Sequence, residues 1–529
     1  MSRICIKNAE VYDGSGAPAF TGDVSCVDGK LRLGSVEAPD EVIDAAGLCL
    51  APGFIDAHSH GDSCVGNRNN SLSRVSQGIT TQLTGNCGSS VFVLDGEMYR
   101  AARAELTPSP GLDGPEHFTG FGPYLAYARS LPQVENTAFL VGHGNLRRVA
   151  MGFDDRKPTA KELEHMKALL AEAMENGALG MSSGLIYIPG AYSGIEEMAE
   201  LCRVVARYDG IYATHMRNEA DGVLDSIRES IEVARRSGCR LNISHLKVCG
   251  KPNHGAAGQM LKLIHDARAE GLRVSADQYP YEASSTSLAS CIPPKYFTRG
   301  TEGLMQTLRD GGGRRQIRSE IEGNTVEGFE NLVLGCGGFD GIVVSAAEKT
   351  PWAVGKSVAA AAREQGADVW ETFFDLLVQN NGSVQAIYFD IGEPDLMHIL
   401  SDPTLMVGTD GVSASADRLC HPRAFGTFTR ALGRYGRDKK LLPAETMIHK
   451  MTGLPAATFG FSQKGLIRDG MDADLVLFNA ETVCDRADFV HSQLLSDGIE
   501  AVFIGGEVVY RGGALTGKTP GRVLLRGQA

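Results

Sequence analysis

The sequence contains no apolar run approaching the roughly 18 residues needed to span a bilayer, so none of its 529 residues reads as a membrane helix. The amino terminus, Met1-Ser2-Arg3-Ile4-Cys5-Ile6-Lys7, lacks the apolar core of a secretion signal and reads as a first strand. Positive charge is in deficit: the formal net charge is -13, which argues against nucleic acid or an anionic membrane as partner. The acidic residues are spread along the chain, so this excess does not by itself imply a cationic ligand. CxxC pairs and regular cysteine spacing are missing too. Twelve scattered cysteines without an export signal are expected to be reduced thiols in a cytoplasmic protein, most of them buried. No repeat or low-complexity segment stands out.

What is present suits a globular protein, with 43% hydrophobic and 22% charged residues. A chain of this length is too long for one ordinary core, and a large domain plus a smaller one is the natural expectation. Residues 1–53 alternate short apolar runs with Gly and Asp turns, as in Ile4-Cys5-Ile6 and Leu31-Arg32-Leu33, and the same style returns over 462–529 in Leu475-Val476-Leu477-Phe478 and Ala501-Val502-Phe503-Ile504. Both ends are expected to share one β-sandwich.

Between them, over 54–461, short apolar strands alternate with helices such as Lys161 to Asn176 and Asp221 to Ser237, each stopped by a glycine. Repeated βα units imply parallel strands with right-handed crossovers, and eight of them close a TIM-like (β/α)8 barrel. Strands are expected to end at His60, Cys87, His143, Gly184, His215, His245, Tyr279 and Asp410. Two surplus strand candidates, Gly341 to Ser345 and Val384 to Asp390, place an insertion at about 283–384, a possible lid. Its Gly311-Gly312-Gly313 run reads as an exposed loop.

The chemistry gathers at those strand ends. Gly53-Phe54-Ile55-Asp56-Ala57-His58-Ser59-His60 ends an apolar strand in two histidines at i, i+2, which point the same way on a strand. Ile211-Tyr212-Ala213-Thr214-His215 and Leu241-Asn242-Ile243-Ser244-His245 each end in one histidine, and Leu405-Met406-Val407-Gly408-Thr409-Asp410 ends in aspartate. Barrel chemistry collects at the carboxyl ends of the strands, so these side chains converge on one mouth and suit a metal centre. Imidazole, thiolate and carboxylate favour zinc over magnesium or calcium, with iron, cobalt and manganese left open. By position alone, Cys87 in Thr84-Gly85-Asn86-Cys87-Gly88 reads as a small residue in a tight turn. His143 reads as a structural hydrogen-bonding residue.

Pro52-Gly53-Phe54-Ile55-Asp56-x-His-x-His, the later strand-end histidines, Asp410 and the closing Gly465-x-Ile467-x-x-Gly470-x-x-Ala473-Asp474-Leu475-Val476 pattern resemble the amidohydrolase superfamily. Gly85-Asn86-Cys87-Gly88, Thr214-His215-Met216-Arg217-Asn218-Glu219, Ser244-His245-Leu246-Lys247 and Tyr279-Pro280-Tyr281 are similar to its N-acyl-D-amino-acid deacylase (D-aminoacylase) branch. The likeness runs nearly end to end and is weak only over about Ser290 to Val384.

The resemblance implies that Cys87 replaces the carboxylated lysine that bridges two metals in many relatives; accordingly, Ala178 to Gly184 offers Met181, Ser182 and Ser183 but no lysine. It implies a firmly bound zinc on Cys87, His215 and His245, and a second, weaker or empty position outlined by His58, His60, Cys87 and Asp410. Asp410 is the expected general base and acid. Lys247, Arg423 and Tyr279 are expected to hold the carboxylate of a small-molecule N-acyl-D-amino acid, with Tyr187 a further candidate. Glu219 reads equally as a partner of the His215 ring or a solvated acid. Leu288, Cys291 and Ile292 suggest an apolar pocket lining, and Arg299 leaves an acidic side chain acceptable. A cyclic-amide hydrolase of the dihydropyrimidinase or dihydroorotase kind competes but wants the missing lysine; a non-catalytic scaffold of the same fold predicts eroded ligands.

Overall fold

The structure is a computed structural model describing residues 3–94, 118–412 and 419–527. Its centre is a ring of eight parallel strands: β1 (Phe54–Asp56), β2 (Ile79–Thr84), β3 (Asn136–Gly142), β4 (Gly180–Gly184), β5 (Ile211–His215), β6 (Arg240–Ile243), β7 (Val274–Gln278) and β8 (Met406–Val407). They pair in chain order from β1 to β8. The ring closes where Asp410 donates its N–H to the His58 carbonyl at 2.8 Å and Gly411–Val412 pairs in parallel with Ser59–His60. This is a TIM-like barrel with helices outside.

Side-chain alternation builds it. Ile211 and Ala213 join Leu83, Leu140 and Met406 in the barrel interior, whereas Tyr212 packs outward among the helices. The helix Ala160–Glu175 starts with a capping box in which Thr159 and Glu162 satisfy each other's backbone N–H. The helix Val223–Ser237 stops at Gly238, whose φ of 71° is left-handed. Barrel floor and tail are continuous: Thr137 donates to Arg522 and Leu524 donates to Thr137, while Phe459, Phe461 and Leu524 fill the amino-terminal end.

Both chain ends enter one nine-stranded sheet, joined where Cys49–Pro52 runs antiparallel to Leu475–Phe478. Ile4, Ile6, Leu31, Leu475 and Phe503 share its apolar core, so the two ends form a single small β domain. A separate three-stranded antiparallel sheet, ordered Ser284–Ser287, Val384–Tyr388, Ile342–Ala347, carries the helices of the segment between β7 and β8 over a core of its own. The surplus strands of the sequence lie there.

Two local expectations are corrected. Gly311-Gly312-Gly313 is not a loop but the first turn of the helix Gly311–Gly323, because Asp310 caps it by accepting the Gly313 N–H at 2.8 Å. His58 and His60 do not share an unbroken strand: the chain bends at Ala57 and His58 and resumes pairing at Ser59.

Candidate metal centre

Except for His215 and His60, which lie in strands, the residues at the mouth sit in turns just beyond the strands, and three hold backbone conformations rare for side chains other than glycine. Cys87 has φ 52°, His245 φ 36° and Asp410 φ 48°, a strain that surrounding structure must fix and that concentrates at working sites. For Cys87 the fixing is visible. Ser182 on β4 donates to the Gly85 carbonyl at 2.6 Å and accepts from the Gly88 N–H at 3.0 Å. The turn lies so close to β4 that a Cβ on Gly88 would meet the Gly184 nitrogen at 2.6 Å, and one on Gly184 the Cys87 carbonyl at 2.3 Å. For His245, the Asp277 carboxylate on β7 accepts its N–H at 2.8 Å.

Of three groups of potential ligand atoms among the described residues, each with all members within 4.8 Å of one another, two share Cys87: Cys87, His215 and His245; and His58, His60, Cys87 and Asp410; the third is Glu219, Cys249 and Glu330. The Cys87 sulfur lies 3.4 Å from His58 Nε2 and 3.3 Å from His245 Nε2. Burial pushes the Cys87 thiol up, but the surrounding imidazoles, His58 and His245 foremost, hold it well below its ordinary value, so thiolate is the favoured form. His215 shifts the other way: burial disfavours its cation, leaving a lone pair on the ring. Nδ1 of His215 has no hydrogen-bond partner among the described residues, and Nε2 has the Glu219 carboxylate no nearer than 3.5 Å. A buried nitrogen left unsatisfied costs about 1–3 kcal/mol, a cost that a cation held between one His215 nitrogen and the thiolate removes for that nitrogen. A thiolate with two imidazoles fits zinc.

Glu219 ties the ligands together from behind. Its carboxylate lies 3.1 Å from His245 Nδ1, 3.5 Å from His215 Nε2 and 2.5 Å from Lys247 Nζ. Of the two sequence readings, the solvated acid is therefore wrong: Glu219 is buried and bonded. Glu330, reaching in from the segment between β7 and β8, accepts the Glu219 N–H at 2.5 Å. Burial and then the Glu219 carboxylate push Glu330 up to about 8.

Asp410 lies 3.0 Å from His60 Nε2, 3.4 Å from His58 Nε2 and 2.8 Å from Arg423 Nη1. Although burial opposes its charge, the Arg423 guanidinium and then the histidines hold its carboxyl well below the usual range. Arg423 stacks over the Tyr279 ring at 4.7 Å, with Lys247 Nζ on the same ring at 5.9 Å. The buried Tyr279 hydroxyl has no hydrogen-bond partner among the described residues. Tyr187 packs its ring 5.0 Å from His215 and shares a hydrogen bond with Thr286 at 3.0 Å. His143 pairs with Glu197 at 2.9 Å.

Residues 41–510 match the amidohydrolase family. Over 99% of this chain and 97% of the other, the sequence is 35% identical to a D-aminoacylase of Alcaligenes xylosoxydans xylosoxydans. It is also 35% identical to an N-acyl-D-aspartate deacylase of the same organism, over 99% of this chain and 95% of that one. The crystal structure of an N-acyl-D-glutamate deacylase from Bordetella bronchiseptica, complexed with zinc and a phosphonate inhibitor, superposes with a TM-score of 0.82 at 33% identity, covering all of both chains. The chain belongs to the amidohydrolase family, in its D-aminoacylase branch.

Within this amidohydrolase, two expectations fail. Leu288, Cys291 and Ile292 do not line a pocket: they are fully buried in the core of the segment between β7 and β8. Arg299 is exposed and bonds to Gln306 at 3.2 Å. Asp277 escaped the sequence reading, although a charged residue at an inward position of the strand Val274–Gln278 was a signal. It accepts from Asn242 at 2.6 Å and lies 3.4 Å from His58 Nδ1. His421, whose proximity to Arg423 drew no role, is the other omission.

Proposed function

We propose that the chain hydrolyses the amide bond of N-acyl-D-amino acids to a carboxylate and a free D-amino acid, using zinc on Cys87, His215 and His245. The observation carrying this reading is a buried thiolate with one ring nitrogen each of His215 and His245, all within 4.8 Å of one another. Zinc with three protein ligands supplies Lewis acidity, lowering the pKa of water towards about 7 and polarising an acyl carbonyl. His58, His60, Cys87 and Asp410 outline a second, weaker position.

The remaining steps belong to the protein's own groups. Asp410 faces the cluster with one oxygen beside His60 and His58 and the other on Arg423, so its carboxylate is oriented before substrate arrives. It holds the attacking water, takes its proton as the C–O bond forms, and passes that proton to the amide nitrogen as the C–N bond breaks. Without that protonation the amine leaves poorly; such acid–base assistance contributes roughly 10²–10⁴ in rate. Arg423, Lys247 and the free hydroxyl of Tyr279 converge as donors for the substrate carboxylate, with Arg423 suited to bidentate contact. Tyr187, which accepts a hydrogen bond from Thr286 and packs on His215, is a further substrate-binding residue. The preference for D-residues rests on the relatives.

A panel of N-acetyl and N-formyl D- and L-amino acids, with dihydropyrimidines and hydantoins alongside and zinc measured by elemental analysis, tests the reading. Turnover confined to acyl D-amino acids, with a tightly held zinc, is expected. Activity on the cyclic amides alone, or a zinc-free active protein, would sink it.

A further inference from the structure

His421 is buried at the junction of three parts of the site, and both its ring nitrogens are used. Nδ1 lies 3.0 Å from the backbone N–H of Arg423, and Nε2 lies 2.9 Å from the carbonyl of Ala283, at the start of the segment between β7 and β8. A backbone N–H only donates, so Nδ1 accepts; the ring proton is then on Nε2 and is given to Ala283. The tautomer is thus set by geometry, and burial together with the Arg423 charge keeps the ring neutral. Arg423 opens the helix Arg423–Arg430, whose first N–H groups have no partner within the helix, and His421 satisfies one of them. The ring is wedged edge-on against Tyr279 at 6.0 Å, Tyr281 at 5.3 Å and Phe489 at 5.2 Å. Arg423 Nη2 reaches back across the same junction to the Ser285 carbonyl at 3.2 Å.

We infer that His421 is the positioning residue of the carboxylate clamp: through one neutral ring it fixes where Arg423 leaves its helix, how the Tyr279 ring faces that guanidinium, and where the chain after β7 sits against both. This rests on the reading of Arg423, Tyr279 and Lys247 as carboxylate donors. Since a small misplacement of a binding group costs up to about 10²-fold, losing the ring should act on substrates through their carboxylate.

The test uses zinc-loaded enzyme and measures kcat and KM on N-acetyl-D-methionine, together with the inhibition constant of its carboxamide, which lacks the charged group. In His421→Ala, KM is expected to rise on the order of 10–100-fold while the carboxamide constant stays close to wild type. Asn places an acceptor where Nδ1 was and Gln a donor where Nε2 was; His421→Asn should recover most of the KM and His421→Gln little. These two variants carry the test if the alanine variant fails to fold. KM and the carboxamide constant shifting together, or wild-type KM in both Asn and Gln variants, overturns the inference. Equal wild-type affinity for acid and carboxamide instead overturns the clamp on which it stands.

Discussion

The two ends of the barrel are made from the same eight strands yet obey opposite rules. At the amino-terminal end, Leu140, Leu179, Ile211, Phe459 and Leu524 close on one another in an apolar cluster. At the carboxyl end, a few residues further along the same strands, the interior holds buried histidines, carboxylates, a lysine and a thiol, with Cys87, His245 and Asp410 in left-handed backbone. The lower layer supplies transfer free energy of about 25 cal/mol per Å² of apolar surface. The upper layer spends part of that stability on desolvated charge and strained backbone, and gains a preorganised site. Stability and chemistry are therefore separable by height in one barrel.

That separation can be broken most severely at Cys87. Cys87→Ala should lose both zinc and turnover, by on the order of 10³-fold or more, since metal assistance is worth several kcal/mol. Its melting temperature when zinc-free should match that of zinc-free wild type. Full turnover with bound zinc would end the assignment. Asp410→Asn should lower kcat by roughly 10²–10⁴-fold while elemental analysis still finds the tight zinc, because Asp410 borders only the second position. At the floor, Leu524→Ala should cost about 2–5 kcal/mol of stability, seen in denaturant melts, and leave kcat of the folded enzyme unchanged.

The smallest effect sharpens the contrast through pH. Glu330 is pushed up from an ordinary carboxyl to about 8, so the folded protein binds a proton there that the unfolded chain releases above about 4.3. Stability from this group is complete below that pH and is lost as pH rises through about 8. Glu330→Gln keeps an acceptor for the Glu219 N–H without titrating. Relative to wild type it should therefore gain stability from pH 5 to pH 8, on the order of 1–3 kcal/mol; a constant difference in Tm across that range would remove the buried-proton account.

Sequence made the histidines and Asp410 of the upper layer legible because each closes an apolar run, as Ile211-Tyr212-Ala213-Thr214-His215 does, whereas Cys87 read by position as a turn residue and drew its proposed role from the family resemblance alone. The alternation of apolar strands with glycine-stopped helices likewise announced the barrel. What escaped depended on contacts made at long range. Asp277 lies in a strand with no ligand at its end, and its meaning comes from His58 and His245, over 200 and 32 residues away in the chain. Leu288, Cys291 and Ile292 follow Tyr281 closely, yet the local core draws them away from the mouth. Three glycines read as a loop until Asp310 caps them into a helix.

The near-contact of Gly184 with the Cys87 carbonyl has a consequence for the design of such centres. No side chain at all fits at position 184 while the turn bearing the thiolate rests there. A side chain at that point of the fourth strand and the turn that carries the sulfur from the second exclude one another through the Cys87 carbonyl. Placing any side chain at position 184 thus demands moving the turn as well as exchanging the residue.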